Sequence, residues 1–197
     1  IKKINSMGSS VIMDAKRGDI GKTAKAYANS MFNYWDVDCV TISPYLGYDS
    51  IAPFMEFQGK GIYILNRTSN KSAPEIQNLI IDGKPMFKEV SKLIASNWFK
   101  EGVGAVVGAT YLKELDEISQ FFVNTGKQIP MLIPGVGAQG GSATDVMNIL
   151  RNTNNPLEIH RVNSSSGISY AYLTKNSTDY VSCAITEIKK LIKELKI

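Results

Sequence analysis

The chain has 197 residues, 44% of them hydrophobic, which is enough to bury a full core and is most simply a single domain over residues 1–197. Its formal charge of +4 is spread along the sequence, so an anionic small molecule fits it as a partner, whereas nucleic acid, which selects a basic stripe, does not. Cys39 and Cys183 show no metal-ligand spacing, no apolar run reaches membrane length and no signal peptide opens the chain, which predicts a soluble cytoplasmic protein with no membrane partner.

The opening IKKINSMGSS lacks a methionine and runs almost at once into a strand, as the middle of a domain would. SSVIMD (9–14) reads as that strand, and IGKTAKAYANSMFNYW as a helix with Ile20, Ala24, Tyr27, Met31 and Tyr34 on one face. VDCVTIS (37–43) is a second strand, followed by a short helix holding Ile51, Phe54 and Phe57. GIYILN (61–66) is a third, leading through the polar loop RTSNKSAPE into a helix around MFKEVSKLIASNWF. VGAVVGA (103–109) and PMLIPG (130–135) are the fourth and fifth strands, each with its helix, LKELDEISQFFV and SATDVMNILRN. LEIHRVN (157–163) is the sixth, and the amphipathic DYVSCAITEIKKLIKELK closes the chain with a lysine-rich, solvated face. His160 falls inside the sixth strand, and Trp35 and Trp98, near helix ends, are expected to pack.

Six strand–helix units whose strands are apolar throughout predict a parallel sheet covered on both faces, open or closed into a barrel. An eight-unit barrel takes about 250 residues, a length that two further units at the N-terminus would supply. The fold class expected is therefore a TIM-type (β/α)8 barrel with its first two units absent, so that strands 3 to 8 are visible.

Charges gather where the first apolar run stops, in VIMDAKRGDIGKTA (11–24). If strand geometry persists to Lys16, then Ile12, Asp14 and Lys16 share a face at the strand's C-terminal end, where barrels build their active sites. Inward charges there must neutralise each other or a ligand. A salt bridge closing the barrel mouth and a functional pair both satisfy that requirement. GVGAQG (135–140) fits the dinucleotide fingerprint Gly-x-Gly-x-x-Gly, but the acid that should end the next strand is missing, since Glu158 begins that strand. The turn follows strand seven of the inferred barrel and NSSSGIS strand eight, the pair of loops that commonly binds phosphate.

The segment DAKRGDIGKTAKAYA, with PYLGYDSIAPF, RTSN, VGAVVGAT and LIPGVGAQGG in order, resembles the orotidine 5′-monophosphate decarboxylase family of the Asp-x-Lys-x-x-Asp suprafamily from residue 9 to about 170. That resemblance implies cofactor-free and metal-free decarboxylation of orotidine 5′-monophosphate to uridine 5′-monophosphate. It makes Lys16 the proton donor to the ring carbanion and places Asp14 beside the substrate carboxylate. Asp19, with Ile20 and Thr23, is delivered into the neighbouring subunit's pocket, so a homodimer with shared active sites is implied. Ser69 would read the pyrimidine amide edge and Gln139 would contact phosphate and pyrimidine. Pro134, Gly137 and Gly141 complete the turn, and Ser165, Ser166 and Gly167 form the loop after strand eight. In some relatives the barrel is fused to an orotate phosphoribosyltransferase, and that arrangement stays open here.

Two departures stand out. Ser166 occupies the position of the family's phosphate-clamping arginine, which leaves weaker phosphate binding, compensation by Arg17, Arg67 or Arg161, or loss of activity as alternatives. The family's first two strands, carrying a ribose-binding aspartate and a second lysine, have no counterpart in the sequence. A sugar-phosphate aldolase or epimerase of the same suprafamily and a catalytically impaired nucleotide-binding barrel are the competing readings.

Overall fold

The computed structural model describes residues 1–137 and 139–195. Ala138 of the glycine-rich turn and Lys196 at the end of the expected last helix lie outside the described residues. A short α1 (Lys2–Asn5) precedes β1 (Ile12–Arg17), which starts later than the apolar run suggests and carries both charged residues of the motif. There follow α2 (Gly21–Asn29), β2 (Cys39–Ile42), α3 (Ala52–Met55), β3 (Gly61–Arg67) and α4 (Pro74–Gln77). A small hairpin of β4 (Ile80–Ile81) and β5 (Lys84–Pro85) leads into α5 (Met86–Ala95). The remaining elements are β6 (Val103–Val107), α6 (Leu112–Asn124), β7 (Met131–Pro134), α7 (Ala143–Asn152), β8 (Arg161–Asn163), α8 (Ser166–Ser169), α9 (Ala171–Thr174) and α10 (Tyr180–Leu195).

The six longer strands hydrogen-bond in chain order, β1-β2-β3-β6-β7-β8, and β1 with β2, β2 with β3 and β7 with β8 pair in parallel. This is the succession a β/α barrel requires. Contact density divides the chain into two compact units. The first comprises Ile1–Asn66, Pro74–Val106 and Ile129–Met131, and the second Arg67–Ala73, Val107–Gln128 and Leu132–Ile197. In the first unit Ala24 and Ala28 of α2 are fully buried, and Phe32 meets Phe54 edge-on at 6.3 Å between ring centroids. In the second, α6 buries Leu115, Ile118 and Phe122, and α7 buries Val146 and Leu150.

Several expectations are corrected. The buried face of α2 is Ala24, Ala28, Met31 and Phe32, while Ile20 and Tyr34 are exposed. The helix widens into a π turn over Ser30–Tyr34, with the Trp35 N–H reaching Ser30 O, and this extra residue per turn rotates the later side chains off the 3.6-residue face. Trp35 is 48% exposed rather than packed, whereas Trp98 is buried. The sixth strand shrinks to Arg161–Asn163, because Leu157–Ile159 after Pro156 turns into a 3-10 helix. The short helix expected around Ile51, Phe54 and Phe57 covers only Ala52–Met55. Full burial of both faces holds for β6 alone, while β1 and β8, at the two ends of the strand order, are half-buried to exposed. The β4–β5 hairpin had no place among the expected elements; it turns at Asp82-Gly83, both at positive φ as its tight turn demands. Among the described residues no helix is long and apolar enough to cross a membrane.

Candidate active site

Asp14 and Lys16 meet at the C-terminal end of β1, where the Lys16 ammonium donates to Asp14 Oδ2. They do not meet by uninterrupted strand alternation. Met13 pairs with Val40 but Arg17 with Ile42, so β1 bulges against β2, and Lys16 adopts the left-handed region at φ 47°. The Thr41 hydroxyl on β2 spans the bulge, accepting from the Lys16 N–H at 3.0 Å and donating to Asp14 Oδ1 at 2.8 Å. Thr41 is fully buried, whereas the side chains of Lys16 and Asp14 are 52% and 58% exposed. An ion pair so exposed is worth roughly 0–1 kcal/mol to the fold, which leaves its charges available to a ligand.

Asp19, Ile20 and Thr23 lie together at the start of α2. Ile20 is the N-cap, its N–H donates to Asp19 Oδ1 at 2.8 Å, and Ile20 and Thr23 are exposed.

The second unit holds the other group of expected residues. Gly135 holds a φ of 99°, and a Cβ there would press on Gln139 Oε1 and Ser69 Cβ at 3.1 Å each. That glycine therefore brings Ser69 and Gln139 to one place. The RTSN loop is pinned from behind. Thr110 Oγ1 donates to Ser69 O at 3.1 Å, Tyr111 donates its hydroxyl to Asn70 O at 3.2 Å, and Gly108 N–H donates to Arg67 O at 2.7 Å.

These separate groups acquire a common meaning from comparison. The family described as orotidine 5′-phosphate decarboxylase / HUMPS matches residues 1–170. The chain belongs to this family. It is 47% identical over 139 residues to the orotidine 5′-phosphate decarboxylase of Herpetosiphon aurantiacus, covering 70% of this chain and 51% of that one. Identity to the orotidine 5′-phosphate decarboxylase of Cupriavidus metallidurans is 41% over 170 residues, 86% of this chain and 60% of that one. The chain thus spans between half and three fifths of these curated relatives. Among solved structures it is similar to Leishmania donovani OMP decarboxylase, with a TM-score of 0.75 and 28% identity over 96% of this chain and 70% of that one. It is also similar to Leishmania donovani UMP synthase, with a TM-score of 0.75 and 31% identity over 93% of this chain and 39% of that one.

In this orotidine 5′-phosphate decarboxylase family member, a cavity of about 340 Å³ in the second unit is lined by Gly137, Gly141, Ser164 and Gly167, with Ser142 at the start of α7 and Lys190 of α10. Pro134 ends β7, accepting the Ala109 N–H at 2.8 Å, and Ser165 and Ser166 are exposed at the start of α8. The arginines considered as substitutes for the family's clamp each have nearby partners. Arg67 is fully buried, its guanidinium 3.6 Å from the Tyr111 ring centroid and 3.5 Å from Glu114. Arg17 donates to Ala15 O and lies over Tyr27, and Arg161 donates to the carbonyls of Glu158 and His160.

Two contacts at the candidate site had no clear signal in the sequence. Thr41 was visible only as a hydroxyl within the apolar run VDCVTIS, and the Arg67–Tyr111 stack beside the RTSN loop had no local signal.

Proposed function

We propose that the full protein converts orotidine 5′-monophosphate to uridine 5′-monophosphate in the cytoplasm, as a step of pyrimidine synthesis, without metal or cofactor. The carrying observation is the Asp14–Lys16 pair at the end of β1 in a chain of this family. The bond between the ring carbon and the carboxylate breaks, carbon dioxide leaves, and the electron pair stays on the ring carbon. Lys16 Nζ then gives its proton to that carbon and regains one from solvent.

Magnitudes assign the work. Two anions about 4 Å apart repel by about 4 kcal/mol at an effective dielectric near 20. Enzymatic barrier reductions run from roughly 8 to 23 kcal/mol. Repulsion of the substrate carboxylate by Asp14 is therefore the smaller contribution, and stabilisation of the developing carbanion by Lys16 the larger. In this reading the bound nucleotide and Asp19 of the partner subunit, with Ile20 and Thr23 beside it, cover the half-exposed pair and dry it. Ser69 and Gln139 read the pyrimidine, while the backbone of Gly137 and Gly141 and the Ser165–Ser166–Gly167 loop hold the phosphate. Ser166 brings no charge, so phosphate binding is weaker than an arginine would give, by about ten- to a hundredfold.

The test is loss of the orotate ring absorbance on incubation with orotidine 5′-monophosphate. Turnover that survives chelation supports the proposal, and turnover that needs a divalent metal points to an aldolase or epimerase instead. Lys16→Ala is expected to abolish turnover while uridine 5′-monophosphate binding stays measurable. Near-normal turnover in that variant would remove Lys16 from the chemistry.

A further inference from the structure

We propose that Thr41 is a positioning residue that holds the Lys16 ammonium in register through the bulge of β1; the inference rests on Lys16 being the proton donor. Between the pairs Met13–Val40 and Arg17–Ile42, β1 advances further than β2, and the Lys16 N–H leaves the ladder. A main-chain donor removed from its ladder needs another acceptor. Thr41 Oγ1 is that acceptor, at 3.0 Å, and the same oxygen donates its own proton to Asp14 Oδ1 at 2.8 Å. Asp14 Oδ2 then faces the Lys16 ammonium.

One hydroxyl therefore ties both the backbone of the lysine and the carboxylate beside it to a single atom of β2. Thr41 can serve as a fixed point because it is fully buried, with a β-branched side chain that is stiff about its first torsion. Lys16 and Asp14 cannot fix each other, since an exposed ion pair between flexible side chains holds no single geometry. The left-handed backbone of Lys16 adds to the need for an anchor, because that region is costly for a residue with a Cβ.

Thr41→Val keeps the shape and removes both hydrogen bonds, and Thr41→Ser keeps the hydroxyl. Thr41→Ala is measured beside them, so that a folding failure of the valine variant still leaves a hydroxyl-free protein to read. In the full-length protein, the expected result is a kcat about 10- to 100-fold lower in the variants without the hydroxyl. KM and the affinity for uridine 5′-monophosphate should stay within about twofold, and Thr41→Ser should recover most of the native kcat. A native kcat in Thr41→Ala or Thr41→Val overturns the inference, as does a Thr41→Ser variant no better than alanine. A wild-type protein that leaves orotidine 5′-monophosphate unchanged overturns the decarboxylase reading itself, and this inference with it.

Discussion

His160 is the single histidine of the chain, and its ring is held near a pKa of about 4 against an ordinary 6.5. Burial is the main cause; Glu158 opposes the shift and Arg161 adds to it. A base whose folded-state pKa is lowered makes stability depend on pH in one direction. Above about 6.5 neither state holds the proton and stability is complete. Between 6.5 and about 4 the unfolded chain takes up a proton that the fold refuses, so stability falls with falling pH. The loss should reach about 2 kcal/mol at pH 5 and about 3 kcal/mol once both states are protonated. Urea unfolding at pH 7 and pH 5 measures it, and His160→Leu should remove the difference. A slope that persists in that variant assigns the effect to other groups.

Turns and strand ends place Ser69 and Gln139. Gly108 lets the RTSN loop approach β6 so closely that a Cβ would stand 2.8 Å from the Ser69 backbone. Gly135 lies less tightly, a Cβ there standing 3.1 Å from Ser69 and Gln139 side-chain atoms, and holds a φ that side chains avoid. Gly135→Ala is therefore expected to lower stability by about 1–3 kcal/mol through backbone strain. The new methyl presses on both polar side chains, so with their proposed role in nucleotide binding uridine 5′-monophosphate affinity should fall about tenfold. Calorimetric titration beside thermal unfolding checks both. A stable variant with native affinity would separate Ser69 and Gln139 from nucleotide binding. Arg67 supports the same loop from below, and a buried guanidinium stacked on Tyr111 is worth about 2 kcal/mol.

The strand order runs from β1 to β8, and these two strands are the least buried of the six. On α10, Val181, Ile185, Ile188 and Ile192 are exposed beside the lysines, so the face expected to be merely solvated carries an apolar stripe. The proposed dimer adds a requirement of its own. If Asp19 serves the neighbouring pocket, Lys16→Ala and Asp19→Ala each silence the protein alone. A mixed dimer, however, keeps one pocket with both native residues. Equal mixing and re-association should restore about a quarter of native turnover, the share expected from random pairing in a twofold assembly. Two inactive variants that stay inactive on mixing would place Asp19 within its own subunit's site.

Alternation of apolar runs with amphipathic stretches was enough to read six strand–helix units and a barrel class. Burial on one face leaves its period in the residues themselves. The Asp14–Lys16–Asp19 spacing and the glycine-rich turn were legible for a similar reason, since charge at a strand end and glycine at a positive φ are local demands. The bulge at Lys16 was not legible. It depends on Thr41, 25 residues from the amide it accepts and 27 from the carboxylate it donates to. Nor did periodicity foretell the π turn that exposes Tyr34, or the stack of Arg67 on Tyr111. Local propensity specifies which way a segment folds, but which hydroxyl meets which carboxylate is settled only when distant strands pair and exclude water between them.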